Sequence, residues 1–193
     1  MRSIRLTGKA QLAIGLALAA LMAMTRGQHA ISVDSLPSAS WAVFFLAGLF
    51  LRPRWTFAGF FVLASLLDFG SMAAGTVSDW CLSPAYWALV PAYGSLWFAG
   101  RLFAAQRLEG LAGIAGLAAT LAVVAMVAYV FSGGGFYFFS GHYPDADLAG
   151  FLPRIAEYYP RYLSVMAMYV ALAALLHSLA GALVVERTGE VRP

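Results

Sequence analysis

The chain alternates long apolar runs with short polar connections, and none of the runs shows the every-second-residue alternation of barrel strands. Apolar stretches at residues 10–24, 40–51, 55–74, 84–101, 111–131 and 162–185 predict six helices. The punctuation between them is sharp. Arg52-Pro53-Arg54 stops helix 2 with a proline between two cations. Ser83-Pro84 offers helix 4 an N-cap and a first helical residue, and Pro91 is expected to kink that helix. Gly133-Gly134-Gly135 reads as a turn beyond helix 5. Helix 2 is short against the roughly 20 residues that a bilayer needs. Helix 1 follows Arg2, Arg5 and Lys9 and carries Ala17 and Ala19 in the A-x-A spacing of a signal peptide, but is expected to be retained. No soluble segment or repeat interrupts the pattern, so residues 1–193 read as a single transmembrane domain.

Composition turns this pattern into a statement about solvent. With 62% hydrophobic and 11% charged residues, the chain exposes too little polar surface for a water-soluble globule. Lipid must surround most of it, and in lipid every backbone group needs an internal partner, so the expected fold is an all-α polytopic membrane bundle. No run of Lys or Arg suggests nucleic acid. The cations instead set topology: Arg2, Arg5, Lys9, Arg52, Arg54, Arg101, Arg107, Arg187 and Arg192 fall on one side, against Arg26, Arg154 and Arg161 on the other. Nine against three predicts both termini in the cytoplasm and puts connections 25–39, 75–83 and 132–161 outside.

Candidate chemistry gathers on that outer side. Cys81 is the single cysteine, which removes disulfide frameworks and multi-cysteine metal sites. It lies in Ser78-Asp79-Trp80-Cys81-Leu82-Ser83-Pro84, and two readings stand: a small apolar side chain tucked under a loop, or a thiolate ligand for a transition metal. Asp68, inside the apolar run Leu66-Leu67-Asp68-Phe69-Gly70, is costly at that depth and reads as functional, the alternative being a carboxyl satisfied by a helix neighbour. On the first reading, removing Asp68 is expected to weaken ligand binding more than folding. His29, at the outer end of helix 1, is a metal ligand or a capping side chain. His142 reads as a loop residue, and His177 falls in the cytoplasmic half of helix 6. Aromatic residues crowd the outer side, among them Trp80, Tyr86, Phe136, Tyr137, Tyr143 and Tyr158. With the glycine turn they suggest a lid over a large, flat, partly apolar ligand. Ala13, Gly15, Ala17 and Ala19 form small faces on helix 1 that admit another helix closely.

Six short helices, inner termini, a small-residue first helix and outer loops around a ligand resemble an S-component of the energy-coupling-factor (ECF) vitamin transporters. The Asp79-Trp80-Cys81-Leu82-Ser83-Pro84 segment further resembles the solitary cobalamin-specific S-components of Gram-negative bacteria, the BtuM type. The resemblance implies an inner-membrane subunit that captures vitamin B12 from the periplasm. It implies Cys81 on the cobalt, with His29, Asp68 and Tyr86 as accompanying ligand-binding positions. It also implies a transmembrane coupling protein and two ATPases docking on helix 1; the chain has no phosphate-binding loop of its own, so ATP hydrolysis would belong to those partners. Cysteine-mediated loss of cyanide from cyanocobalamin is the one enzymatic step it admits. Other readings are an S-component for another vitamin and an intramembrane serine protease of rhomboid type using Ser95 and His177, although Tyr93-Gly94-Ser95-Leu96-Trp97 lacks the second glycine of G-x-S-x-G. A bis-histidine haem fails because His29 and His177 lie near opposite faces, and a disulfide oxidase fails for want of a second cysteine.

Overall fold

A computed structural model describes residues 7–26, 36–75, 83–106 and 109–189, with side chains as far as residue 179. Among these residues the fold is all-α. Six helices, α1 (Gly8–Thr25), α2 (Ser40–Phe50), α3 (Thr56–Ala73), α4 (Leu89–Ala105), α5 (Gly110–Phe139) and α6 (Leu148–Gly189), are joined by a 3-10 turn at Pro84–Ala88. Four of them, α1, α3, α5 and α6, are long and apolar enough to cross a membrane. Their outward faces carry residues such as Leu12, Leu66, Ile114 and Leu175, which suit a lipid solvent.

At the centre of the bundle stands α2, the shortest helix. Ala42, Val43, Phe44, Phe45 and Ala47 are wholly buried, because α2 packs on α1, α3, α4 and α6. At 11 residues it rises about 16 Å, well short of a 30 Å hydrocarbon core. It needs no greater length, since protein and not lipid meets its ends. At one end the Ala39 N–H donates to Thr25 Oγ1 at 3.0 Å. At the other, Arg101 donates to the Leu51 and Arg52 carbonyls, and the Arg52 N–H donates to Gln11 Oε1.

The tightest crossing is between α2 and α4. A Cβ on Gly48 would overlap the Trp97 carbonyl, and one on Gly100 would overlap the Phe45 carbonyl, so each helix rests backbone to backbone on the other. Sequence reading placed the small-residue contact on α1. There Ala13 and Ala17 are exposed and Gly15 and Ala19 half-buried.

Several predicted boundaries require correction. Helix 5 continues through Gly133-Gly134-Gly135 to Phe139, so no glycine turn exists there. These glycines permit contact: a Cβ on Gly135 would overlap Ala88 of the 3-10 turn, and Gly134 faces the Phe151 ring. Helix 6 begins at Leu148, not near Tyr162, despite Pro153 and Pro160. Asp147 caps it, accepting the Gly150 N–H on Oδ1 at 2.7 Å. Phe151 is buried against Tyr129, Tyr137 and Phe138, which offsets the bonds lost at the prolines. The long connection expected between helices 5 and 6 therefore shrinks to residues 140–147, and Phe136 to Phe139 belong to a helix and not to a lid. Pro91 lies in the first turn of α4, where its missing N–H costs no helical bond and no kink is required.

Enlarging either crossing glycine, Gly48→Val or Gly100→Val, is expected to destabilise the bundle by about 3 kcal/mol or more. Gly15→Ala, whose added methyl meets only Leu51 Cδ1 at 3.8 Å, should be neutral. Thermal unfolding in detergent, followed by size-exclusion, checks the contrast.

Candidate functional site

One end of the bundle is held by a buried charge. Arg26 follows the last turn of α1, and its backbone N–H closes that helix on the Met22 carbonyl. Asp68 shares the inward stripe of α3 with Phe60, Ala64 and Ser71, so helical periodicity turns the carboxylate into the protein. The two meet in a fork: Arg26 Nε donates to Asp68 Oδ1 at 2.8 Å and Nη2 to Oδ2 at 2.6 Å. Nη1 donates to Ser40 Oγ at the start of α2 and to Tyr93 Oη on α4, both at 2.8 Å. Both charged residues are buried. A guanidinium has five N–H groups, and four are used here on groups from three other helices.

Tyr86 completes the cluster. The 3-10 turn at Pro84–Ala88 points its hydroxyl inward, where it donates to Asp68 Oδ2 at 3.0 Å and lies 3.2 Å from Ser65 Oγ. Two residues nominated from sequence, Asp68 and Tyr86, are therefore in direct contact. Cys81 and His29 lie outside the described residues. In the chain Cys81 stands five residues before Tyr86, and His29 three residues after Arg26.

The same end carries an aromatic layer. Trp41, beside Ser40, stacks on Tyr162 at 4.8 Å; Tyr162 neighbours Tyr129, which stacks on Phe151, which stacks on Tyr137. At its far edge Arg154 is surrounded by the rings of Tyr137, Tyr143 and Tyr158 at 5.5, 4.8 and 5.2 Å. Tyr129 Oη donates to the Arg154 carbonyl, fixing the backbone from which that side chain springs.

Sequence reasoning put Arg26 and Arg154 at this end but missed both as members of the site. Both had been counted only as cations on the sparsely charged side. That minority status was itself the signal, because a cation placed against the charge bias needs a local partner.

The remaining nominated residues lie apart. Ser95 Oγ donates to the Ala92 carbonyl within its own helix. His177 packs against Phe50, at the level of Arg101 on α4. Ser95 and Arg101 are separated by about 9 Å of helix rise, so Ser95 and His177 do not share a depth. Among the described residues no three His, Cys, Asp or Glu side chains converge as a metal site.

Fold and site together define a polytopic α-helical membrane protein with a charged, aromatic-rich end. No protein-family model matches the chain, and no curated protein matches it either.

The ion pair changes what removing Asp68 does. Loss of that carboxylate strands Arg26 as a buried lone charge, so it does not spare the fold. Arg26→Met and Asp68→Leu should each cost about 3–5 kcal/mol, while the double variant recovers most of that loss. Tryptophan fluorescence during thermal unfolding checks this; losses that simply add would contradict a direct pair.

Proposed function

We propose that this protein is a substrate-capture subunit for a corrinoid such as cobalamin, an S-component of the ECF type lying in the bacterial inner membrane with its charged, aromatic end toward the periplasm. The observation that carries the reading is the bond from Tyr86 to the Arg26–Asp68 pair. It joins Tyr86, which follows Cys81 by five residues, to the pair containing Arg26, which precedes His29 by three. The orientation follows from the nine-to-three cation bias.

The chemistry asked of the protein is modest. Four equatorial corrin nitrogens hold cobalt already, so the protein supplies one or two axial donors. A thiolate at Cys81 serves one face after the nucleotide base is displaced, with His29 the weaker candidate for the other. An electron-rich thiolate loosens a cyanide bound opposite it, and cyanide leaves as the anion with its electron pair, so cobalt keeps its oxidation state. The aromatic layer from Trp41 to Tyr137 and the caged Arg154 suit a large ligand with flat apolar faces and polar edges. Ala13 and Ala17, exposed on α1, leave a narrow face for a coupling protein that brings its own ATPases. The serine-protease alternative is disfavoured by the different depths of Ser95 and His177.

Adding cyanocobalamin to the purified protein is expected to shift the visible spectrum with time. Cys81→Ala and Cys81→Ser should abolish the shift while leaving thermal stability unchanged. The same shift in both variants would refute cysteine ligation, and no spectral change in the wild type would refute corrinoid capture through cobalt.

A further inference from the structure

The opposite end of the bundle carries a second built feature, independent of corrinoid capture. Between α2 and α3 the chain turns through Leu51-Arg52-Pro53-Arg54-Trp55, and the backbone polar groups of Leu51, Arg52 and Pro53 are engaged. The Leu51 N–H donates to Ala47 O and the Arg52 N–H to Gln11 Oε1 at 3.0 Å. The carbonyls of Leu51 and Arg52 accept from Arg101, whose guanidinium also lies over the Trp97 ring at 4.9 Å. Pro53 O accepts both the N–H and the hydroxyl of Thr56, and Trp97 Nε1 donates to that same hydroxyl. Residues of four helices, α1 to α4, thus hold this turn.

What the clamp presents is two forks of positive charge. Arg52 and Arg54 are exposed, and among the described residues neither guanidinium has an ion pair or hydrogen bond. Beside them Trp55 is 71% exposed, its ring laid against the Cα of Gly59. Among the residues whose side chains are described, the cations at this end are Lys9, Arg52, Arg54 and Arg101, and the acid is Glu109. A topology signal needs only charge near the membrane and no fixed geometry. Two unengaged guanidinium groups on a pinned turn, with an indole at the interface, match a phosphate at headgroup depth with its acyl chains alongside.

We infer that the α2–α3 turn is a binding site for an anionic phospholipid headgroup of the inner leaflet, gripped by Arg52 and Arg54 with Trp55 at its acyl margin. Arg101 is a positioning residue, since its Nη1 donates to two of the turn's own carbonyls.

The test uses the full chain in nanodiscs of phosphatidylglycerol mixed with phosphatidylcholine, reading the bound lipid by native mass spectrometry. Wild type should retain phosphatidylglycerol preferentially. Arg52→Gln with Arg54→Gln should lose that preference, by roughly fivefold for each cation removed. Arg161→Gln, which removes an exposed cation at the far end, should keep it. If the double variant does not purify, each single variant should show its partial loss. Unchanged retention in the Gln variants, or a loss as large in Arg161→Gln, would overturn the site. Displacement of the bound lipid by inorganic phosphate would also overturn it, by showing a site for soluble anions instead.

Discussion

A charge inside a lipid-embedded bundle is tolerated only where an opposite charge and hydrogen bonds replace the water it has lost, and Arg26 with Asp68 meets that condition. Because the guanidinium fork also reaches Ser40 and Tyr93, and the carboxylate also accepts from Tyr86, satisfying one ion pair sets the relative position of α1, α2, α3, α4 and the 3-10 turn. A pair of apolar side chains would stabilise the bundle as well or better, so stability does not explain the brace. Geometry does: a fork has one good arrangement, whereas packed leucines have several.

The same logic runs through α2. A helix too short to span lipid is viable because α1 and α4 send side chains to its ends, and because Gly48 and Gly100 let α4 lie against its backbone. By contrast α5 and α6, at 30 and 42 residues, rise about 45 and 63 Å, more than a hydrocarbon core requires. The excess length of both contributes to the charged end, where Tyr137, Phe151 and Arg154 gather.

Class, helix number and the interior status of Asp68 were legible in the sequence, because an ionisable residue in an apolar run is conspicuous at any alignment of the helix. Its partner was not, since Arg26 is 42 positions away and looks like one more charged residue at a helix end. The C-terminal end of α5 and the start of α6 were misread because glycine and proline act locally as breakers, while the aromatic contacts that outweigh them are long-range. Gly48 and Gly100 were invisible among 19 glycines; only a partner backbone distinguishes them. Cys81 and His29 rest on sequence alone, and the fold contributes the anchor points that flank them.

Under the proposed corrinoid capture, the Arg26–Asp68 brace fixes the shape of the end where the ligand would bind, a role that an apolar pair of equal stability would not fill. The direct measurement is equilibrium binding of radiolabelled cyanocobalamin to the variant carrying both Arg26→Met and Asp68→Leu, in which the charges are removed together and the fold is kept. The account predicts a folded protein that has lost corrinoid affinity by at least about tenfold, the equivalent of one displaced hydrogen bond to a charged group. Wild-type affinity in that folded variant would contradict it.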